Sequence, residues 1–362
     1  MIARRWFRPT LVSLTIATCV AGLAGGPGRS NEAQAQTPSG APTFLRIATG
    51  GVNGTYYPIG GTIANAISSP PGSRSCESGG SCGVPNLIAV AVSSDGSVAN
   101  VRNIQTGAIN SGFAQADVVF DAYHGTGAFT NFGPAEKLRV VASLYAERLQ
   151  LVVRIDSDIK TMADLKGHRV SIDEPGSGTL LIARDLLAAN NLAEGDLVVE
   201  YLKPGPAASK MLRNELDAFF IVAGVPTAAV EELVDGGHAR IIRLEGLAVD
   251  DLLGRFRFLA EAPIPADTYK GQPEEIPTLG VVAQWVISSD VPEALVKAIC
   301  LALWNDATRT LLDGGHPTGR QIQLSKALDG VAIPVHPGAE ACYRELGVID
   351  TVSITADPIV PN

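Results

Sequence analysis

The chain has 362 residues, of which 46% are hydrophobic and only 18% are charged, and its net charge is −9 at pH 7. An acidic chain with so few charged residues is a poor match for nucleic acid, whose phosphates attract basic surfaces. The same balance argues against attachment to an anionic membrane surface.

The first 35 residues have the pattern of a cleaved export signal. Three arginines within the first eight residues precede a short apolar stretch (residues 11–23), and Ala33-Gln34-Ala35 is a small-x-small cleavage sequence. The apolar stretch is too short to span a membrane comfortably. We therefore predict a signal peptide over residues 1–35 and a periplasmic location. The Arg4-Arg5 pair leaves the general secretory and twin-arginine routes both open.

Removing this segment leaves about 327 residues with a net charge of about −12, since residues 1–35 carry +3 of the total of −9. That length exceeds one ordinary hydrophobic core and favours two lobes. No later run of 18 apolar residues occurs, so the mature protein is predicted to be soluble. Residues 36–42 are interpreted as a linker because they are rich in Pro, Gly and Ser.

Four cysteines remain in the mature chain, an even number that suggests disulfides in an oxidising compartment. Cys76 and Cys82 flank a short flexible loop, and we predict that they are bonded. Cys300 shares a helical face with apolar residues, which favours a buried free thiol, although a bond to Cys342 stays open. No spacing typical of a zinc site occurs, and neither a metal nor a cofactor is predicted.

Short apolar runs alternate with helical patterns, which predicts an α/β fold with largely parallel sheets. The predicted strands are residues 44–48, 87–92, 111–115, 138–144, 149–154, 169–172, 198–202, 218–222, 239–244 and 279–287. The predicted helical segments are residues 58–68, 98–106, 117–123, 161–167, 180–190, 207–214, 227–235 and one long helix at 292–312. Ligands of such sheets bind beyond the carboxyl ends of the strands.

Two strand-to-helix loops share one composition. Residues 47–58 read IATGGVNGTYYP and residues 170–179 read VSIDEPGSGT. Each places Gly, Ser or Thr before a helix, whose first N–H groups lack partners and whose dipole favours negative charge. Neither is a nucleotide-binding motif, since both lack G-x-G-x-x-G and the Lys-Ser/Thr of a P-loop. The pair predicts two lobes that close on one small anion.

Seven motifs occur in a fixed order along the chain. They are GGVNGTYYP (50–58), GSVAN (96–100), QAD (115–117), LY (144–145), DLKGHRV (164–170), PGSGT (175–179) and IPADTY (264–269). In this set the chain resembles TAXI-type solute receptors of tripartite ATP-independent periplasmic (TRAP) transporters, over about residues 44–312. The loop between Cys76 and Cys82 departs from the shortest family pattern.

The resemblance implies a two-lobed periplasmic binding protein fold, type II-like, with the ligand in the cleft and the hinge crossed twice. It places lobe one at residues 43–146 and 279–362, and lobe two at 147–278. Family ligands are small carboxylates such as glutamate-like amino acids and dicarboxylates. The expected partner is an ion-gradient-driven TRAP permease, and the receptor is expected to be a monomer that binds no nucleic acid.

Carrying the family pattern over gives twelve candidate ligand-binding residues. They are Gly51, Thr55, Tyr56, Ser94, Ser97, Asn100, Gln115, Asp117, Ser177, Gly178, Thr179 and Gly224. Of these, Ser177 to Thr179 form the better carboxylate site, because N–H and hydroxyl groups there can give charge-assisted hydrogen bonds.

Several candidates also have a purely structural interpretation. Tyr56 can pack inward, Gly224 can serve a simple turn, and Ser97 and Asp117 can cap helices. An aspartate facing an acid repels it unless it receives an ammonium group, which makes Gln115 the better candidate than Asp117.

Catalysis is not predicted. The five histidines lie beside glycines or prolines and are interpreted as surface loop residues, and no Ser or Cys lies in a nucleophile-elbow sequence. Two alternatives remain: a ligand sensor for a membrane kinase, or an enzyme on the same two-lobed fold, as in pyrimidine-synthesis relatives. A kinase gene beside the chain's own gene favours the first, and turnover of a bound ligand favours the second.

Overall fold

The computed structural model describes residues 41–349. The predicted signal peptide, its cleavage site and most of the predicted linker lie outside this range. No helix within it is long and apolar enough to cross a membrane.

The strands and helices of these residues are numbered in chain order. The strands are β1 (Thr43–Ala48), β2 (Ser68–Ser69), β3 (Val84–Pro85), β4 (Leu87–Val92), β5 (Ser111–Gln115), β6 (Leu138–Arg154), β7 (Arg169–Ser171), β8 (Val198–Glu200), β9 (Ala218–Ala223), β10 (Ala239–Ile242), β11 (Ala260–Glu261) and β12 (Leu279–Ser288). The helices are α1 (Tyr56–Ile67), α2 (Ser97–Gln105), α3 (Ala116–His124), α4 (Gly178–Ala189), α5 (Pro204–Leu212), α6 (Ala228–Asp235), α7 (Leu247–Arg255), α8 (Glu293–Leu303), α9 (Asp306–Gly314) and α10 (Pro337–Glu345).

Most strands join one sheet in the order β4-β1-β5-β12-β6-β9-β7-β8, with β10 on β6 and β11 on β12. β1 pairs in parallel with β4 and β5, and β7 pairs in parallel with β8 and β9. β6 and β12 run antiparallel to all their partners. The α/β class is confirmed, but the sheet is mixed rather than largely parallel, because these two strands run through its middle.

β6 is one strand of 17 residues, where the sequence analysis predicted two. Glu147 and Arg148 interrupt the apolar pattern without interrupting the pairing, since they lie opposite Val281 and Gly280 of β12. The first half of β6 pairs with β12, and the second half pairs with β9 and β10. One strand therefore passes from one group of strands to the other.

The buried hydrophobic residues form separate clusters on either side of this passage. The clusters built on β1 and β5 use β6 as far as Tyr145 and β12 from Ala283 onward. The clusters built on β7 and β9 contain residues of β6 from Leu149 onward and residues of β12 up to Val281. One residue of α3, Ala116, also belongs to them. The fold is therefore two-lobed. We call the part around β1, β4 and β5 the first lobe and the part around β7, β8 and β9 the second lobe.

The prediction of one long helix over residues 292–312 is wrong, because the structure has two helices there. α8 ends at Leu303, and the Asn305 side chain begins α9 by accepting a hydrogen bond from Thr308 N at 2.8 Å. An asparagine in this position satisfies a free N–H of the next helix, so it ends one helix and starts another.

Both pairs of cysteines in the described residues are bonded. The predicted Cys76–Cys82 disulfide is confirmed, with the Cα atoms 4.6 Å apart. The interpretation of Cys300 as a free thiol is wrong, because it is bonded to Cys342 with the Cα atoms 6.1 Å apart. Cys342 lies on α10, a helix that the sequence analysis did not predict.

One histidine also departs from its predicted surface position. His336 is buried, and its Nδ1 accepts a hydrogen bond from Gly338 N at 3.1 Å at the start of α10. Burial lowers the pKa of this imidazole, so the neutral form that caps the helix is favoured.

Candidate functional site

A cavity of about 60 Å³ is lined by residues from both lobes. Eight of the twelve candidate residues lie in its wall: Gly51, Thr55, Tyr56, Ser97, Gln115, Ser177, Gly178 and Thr179. The two glycine-rich loops, about 120 residues apart in the sequence, thus meet at one small space.

Four helices begin at the wall of this cavity. Tyr56, Ser97, Gly178 and Pro204 all line it, and they are the first residues of α1, α2, α4 and α5. The first N–H groups of a helix have no partners within the helix, and the helix dipole makes this end positive. Because Pro204 has no N–H, α5 contributes its dipole but no donor at that position. The arrangement favours a bound anion.

Ser94 and Asn100 support the first loop rather than line the cavity. The Ser94 hydroxyl donates to Thr49 O at 2.9 Å, and Asn100 Nδ2 donates to the same carbonyl at 2.7 Å. Asn100 also donates to Phe113 O, which ties the loop to β5. Both side chains therefore hold the backbone of the loop in place.

Gly224 and Asp117 also lie outside the cavity wall. Gly224 O accepts a hydrogen bond of 2.7 Å from the Thr55 hydroxyl, which joins the second lobe to the first loop. Asp117 is partly buried in the first turn of α3, and burial of its carboxyl raises the pKa of this group to about 6.

The alternative interpretation of Ser97 and Asp117 as helix caps is wrong. The residue before α2 is Gly96, and the Ser97 hydroxyl accepts a hydrogen bond from Gln115 N at 3.1 Å, which joins α2 to β5. The N-cap of α3 is Gln115, two residues before the aspartate. Ser177 does cap its helix, since its hydroxyl accepts from Leu180 N at 3.1 Å.

The two lobes touch directly beside the cavity. Ala99 N of α2 donates to Gly176 O of the second loop at 3.0 Å. Gln115 lies so close to Gly178 that a Cβ atom there would be 1.8 Å from Gln115 Oε1. Glycine at the start of α4 is therefore what allows the first lobe to approach.

Glu147 is the main residue that the sequence analysis missed. It lines the cavity from β6 with only 2% of its surface exposed, and the Tyr56 hydroxyl donates to its Oε2 at 2.7 Å. Burial raises the pKa of this carboxyl to about 8, although hydrogen bonds from Tyr56 and Gln115 act in the opposite direction. A single acid inside an apolar run is the available signal, and Glu147 falls in the gap between the predicted strands 138–144 and 149–154.

The other missed residues are charged. Lys203, just before α5, is the one cation in the described wall of the cavity, and its Nζ lies 2.9 Å from Asp95 Oδ1 and 3.2 Å from Glu174 Oε1. Asp173 lines the cavity in the left-handed conformation (φ 69°), and burial raises its pKa to about 7. With Glu147, the wall holds four acids against one paired cation. Within the described residues, no group of three or more His, Cys, Asp or Glu could hold a metal ion.

A model of the NMT1-like family matches residues 47–347. Among solved structures, a protein of Bordetella bronchiseptica RB50 is 16% identical, covers 84% of this chain and 82% of its own, and has a TM-score of 0.49. The alkanesulfonate-binding protein SsuA from Xanthomonas axonopodis pv. citri, bound to MOPS, is 16% identical with 84% of each chain covered and a TM-score of 0.42.

The periplasmic aliphatic sulphonate binding protein SsuA from Escherichia coli is 17% identical over 75% of this chain and 77% of its own, with a TM-score of 0.38. Likenesses at these identities and TM-scores do not show which ligand this chain binds or which transporter it serves.

Proposed function

The chain belongs to the NMT1-like family, and from that premise we propose that it is an extracytoplasmic solute receptor for a small carboxylate. It binds and releases its ligand without converting it. The ligand belongs to the class of glutamate-like amino acids and dicarboxylates.

One observation carries this proposal: helices from both lobes begin at the wall of one cavity. A carboxylate beside Gly178 and Thr179 accepts hydrogen bonds from N–H groups that have no partner within α4. The first loop approaches the same ligand from the other lobe through Thr55 and Tyr56. Only the closed arrangement of the lobes brings both loops onto one molecule.

We further propose residues 43–146 with 279–362 as lobe one and residues 147–278 as lobe two. The hinge then lies near residues 145–150 and 278–282. The change of hydrophobic cluster between Tyr145 and Leu149 of β6 supports this division.

The proposed partner is the membrane permease of a TRAP transporter, and the proposed site of action is the periplasm. The ordered motifs and the export signal in the sequence support these two statements. A permease gene beside this gene is the expected genetic context, and a kinase gene there would instead favour a sensor.

A thermal-shift screen of the mature protein tests the ligand class. Dicarboxylates, amino acids, alkanesulfonates and uncharged sugars are compared at equal concentration. A ligand present at 100 times its Kd stabilises the folded protein by about 2.7 kcal/mol, so a cognate carboxylate gives a clear rise in Tm. A rise with a sulfonate or a sugar, and none with any carboxylate, would refute the proposal.

A further inference from the structure

One buried acceptor oxygen of the cavity-lining side chains, Gln115 Oε1, has no donor among the described residues. Gln115 is 2% exposed and lines the cavity beside Glu147. A buried polar atom without a partner is costly, so a native structure supplies one. The missing partner of Gln115 Oε1 is a hydrogen-bond donor.

The orientation of the Gln115 amide follows from its neighbour. The Gln115 side chain lowers the pKa of the Glu147 carboxyl, and of its two polar groups only the NH₂ group can have that effect. Nε2 is therefore the group turned toward Glu147, and Oε1, which lies beside Gly178, is the acceptor without a partner in the described part of the chain.

Glu147 also lacks a cationic partner among the described titratable groups that face it. The titratable groups that face it are Tyr56 from α1, Asp117 from α3 and Tyr145 from β6 itself, and none of them is a cation. Arg148, the next residue of β6, gives its Nε hydrogen to Pro263 O at 2.8 Å. The cation in the cavity wall, Lys203, already contacts two other carboxylates.

We infer that the ligand carries a protonated amine as well as its carboxylate, and that Glu147 and Gln115 form the subsite for this amine. The inference rests on the proposed function. Of the two ligand types proposed there, it favours amino acids over dicarboxylates that lack an amine. An ammonium group has three donors, which suit a carboxylate and an amide oxygen that lacks a partner. The helix N-termini hold the carboxylate of the same molecule.

Binding of the amine displaces a proton. Without ligand, the Glu147 carboxyl keeps its proton near neutral pH, because burial raises its pKa to about 8. The arriving ammonium favours the ionised carboxylate, so the carboxyl proton passes to the solvent while the amine keeps its own. At pH 7 most of one proton therefore leaves for each ligand bound, and affinity rises as the pH rises toward about 8.

Isothermal titration calorimetry with matched probes tests the inference on the mature protein. L-glutamate is compared with glutarate, and L-aspartate with succinate, because each pair differs only in the amine. We expect the amino member of the better pair to bind at least about tenfold more tightly. Equal or tighter binding of the amine-free acid would overturn the inference and leave the proposed function standing. If neither pair binds and no other carboxylate does, both are wrong.

Glu147→Gln separates recognition of the amine from a structural role. It keeps the size of the side chain but removes the negative charge, and the exposed Glu232→Gln on α6 is the matched control. We expect Glu147→Gln to weaken L-glutamate binding at least about tenfold and glutarate binding less than about threefold. An equal loss for both probes would contradict the amine subsite.

Proton release provides a measurement on the unaltered protein. Titrations in buffers with different ionisation enthalpies give the number of protons released as L-glutamate binds. A value near one at pH 7 is expected, and a value near zero or an uptake of protons would contradict the inference.

Discussion

Lys203 Nζ of the second lobe lies 2.9 Å from Asp95 Oδ1 of the first, at the edge of the cavity. The same ammonium contacts Glu174 at 3.2 Å and donates to Ser94 O at 3.2 Å. Burial opposes its charge, but the hydrogen bonds to Asp95 and Glu174 outweigh this and raise its pKa. The lysine therefore stays charged and holds the two lobes together at any physiological pH.

Replacing this lysine is expected to speed ligand release. Lys203→Met removes the bond between the lobes, and a partly exposed ion pair is worth up to about 1 kcal/mol, so affinity falls up to about fivefold. Stopped-flow measurement of the dissociation rate checks this. Lys210→Met is the control, because Lys210 pairs with Glu200 within the second lobe. Equal effects of the two substitutions would contradict a role in closure.

Gly178→Ala is expected to hinder closure. The added Cβ would lie 1.8 Å from Gln115 Oε1, so the buried glutamine must move. We expect affinity to fall by about tenfold or more, measured by calorimetry, while the protein remains folded. Gly254→Ala on α7 is the control, since nothing lies within 4 Å of its Cβ position.

A double-mutant cycle tests whether this loss arises from Gln115. In a Gln115→Ala background the clash is absent, so Gly178→Ala should cost much less than it does in the natural protein. Strictly additive losses would show that the alanine acts in some other way.

The stability of the unliganded protein is expected to fall between pH 5 and pH 8. The pKa of Glu147 is raised to about 8 in the folded protein, while that of an unfolded glutamate is about 4.3. Between these values the folded state binds the proton more strongly, so the free energy of unfolding decreases as pH rises. Asp117 and Asp173, raised to about 6 and about 7, act in the same direction.

Thermal unfolding at pH 5, 6, 7 and 8 measures this dependence. One such group contributes at most about 1.4 kcal/mol per pH unit. Glu147→Gln should flatten the decline, and Glu232→Gln should leave it unchanged. A Tm that stays constant or rises over this range in the natural protein would disprove the account of the buried carboxyl.

The two disulfides are expected to differ in their contribution to stability. Cys300 and Cys342 are 42 positions apart, whereas Cys76 and Cys82 are six apart. A disulfide restricts the unfolded chain, and this effect grows with the length of the loop that it closes. The longer link is therefore expected to stabilise the fold by about 4 kcal/mol and the shorter by about 2 kcal/mol. Denaturant unfolding of the two double-alanine variants checks the order. A larger loss from the shorter link would contradict it.

Local patterns in the sequence predicted much of the fold but only part of the site. The strands around both loops and the glycine-rich loops themselves follow from apolar runs and turn residues, which depend on nearby sequence. The continuous strand β6 did not, because Glu147 and Arg148 resemble a loop until their pairing with β12 is known. The Cys300–Cys342 bond stays open in the sequence for a similar reason, since it depends on the packing of α10 against α8.

Contacts between the lobes depend on closure and leave no local pattern. Lys203 and Asp95 are more than 100 residues apart, and neither belongs to a motif that predicts their pairing. Gly178 was assigned to an anion site, but its close approach to Gln115 is visible only in the structure.

A crystal structure of the mature protein with its best-binding acid tests the central claim most directly. The account predicts a carboxylate of the ligand within hydrogen-bond distance of the N–H groups of Gly178 or Thr179, with both lobes in contact with the same molecule. A ligand bound outside this cavity, or one whose carboxylate makes no contact with the start of α4, would contradict it.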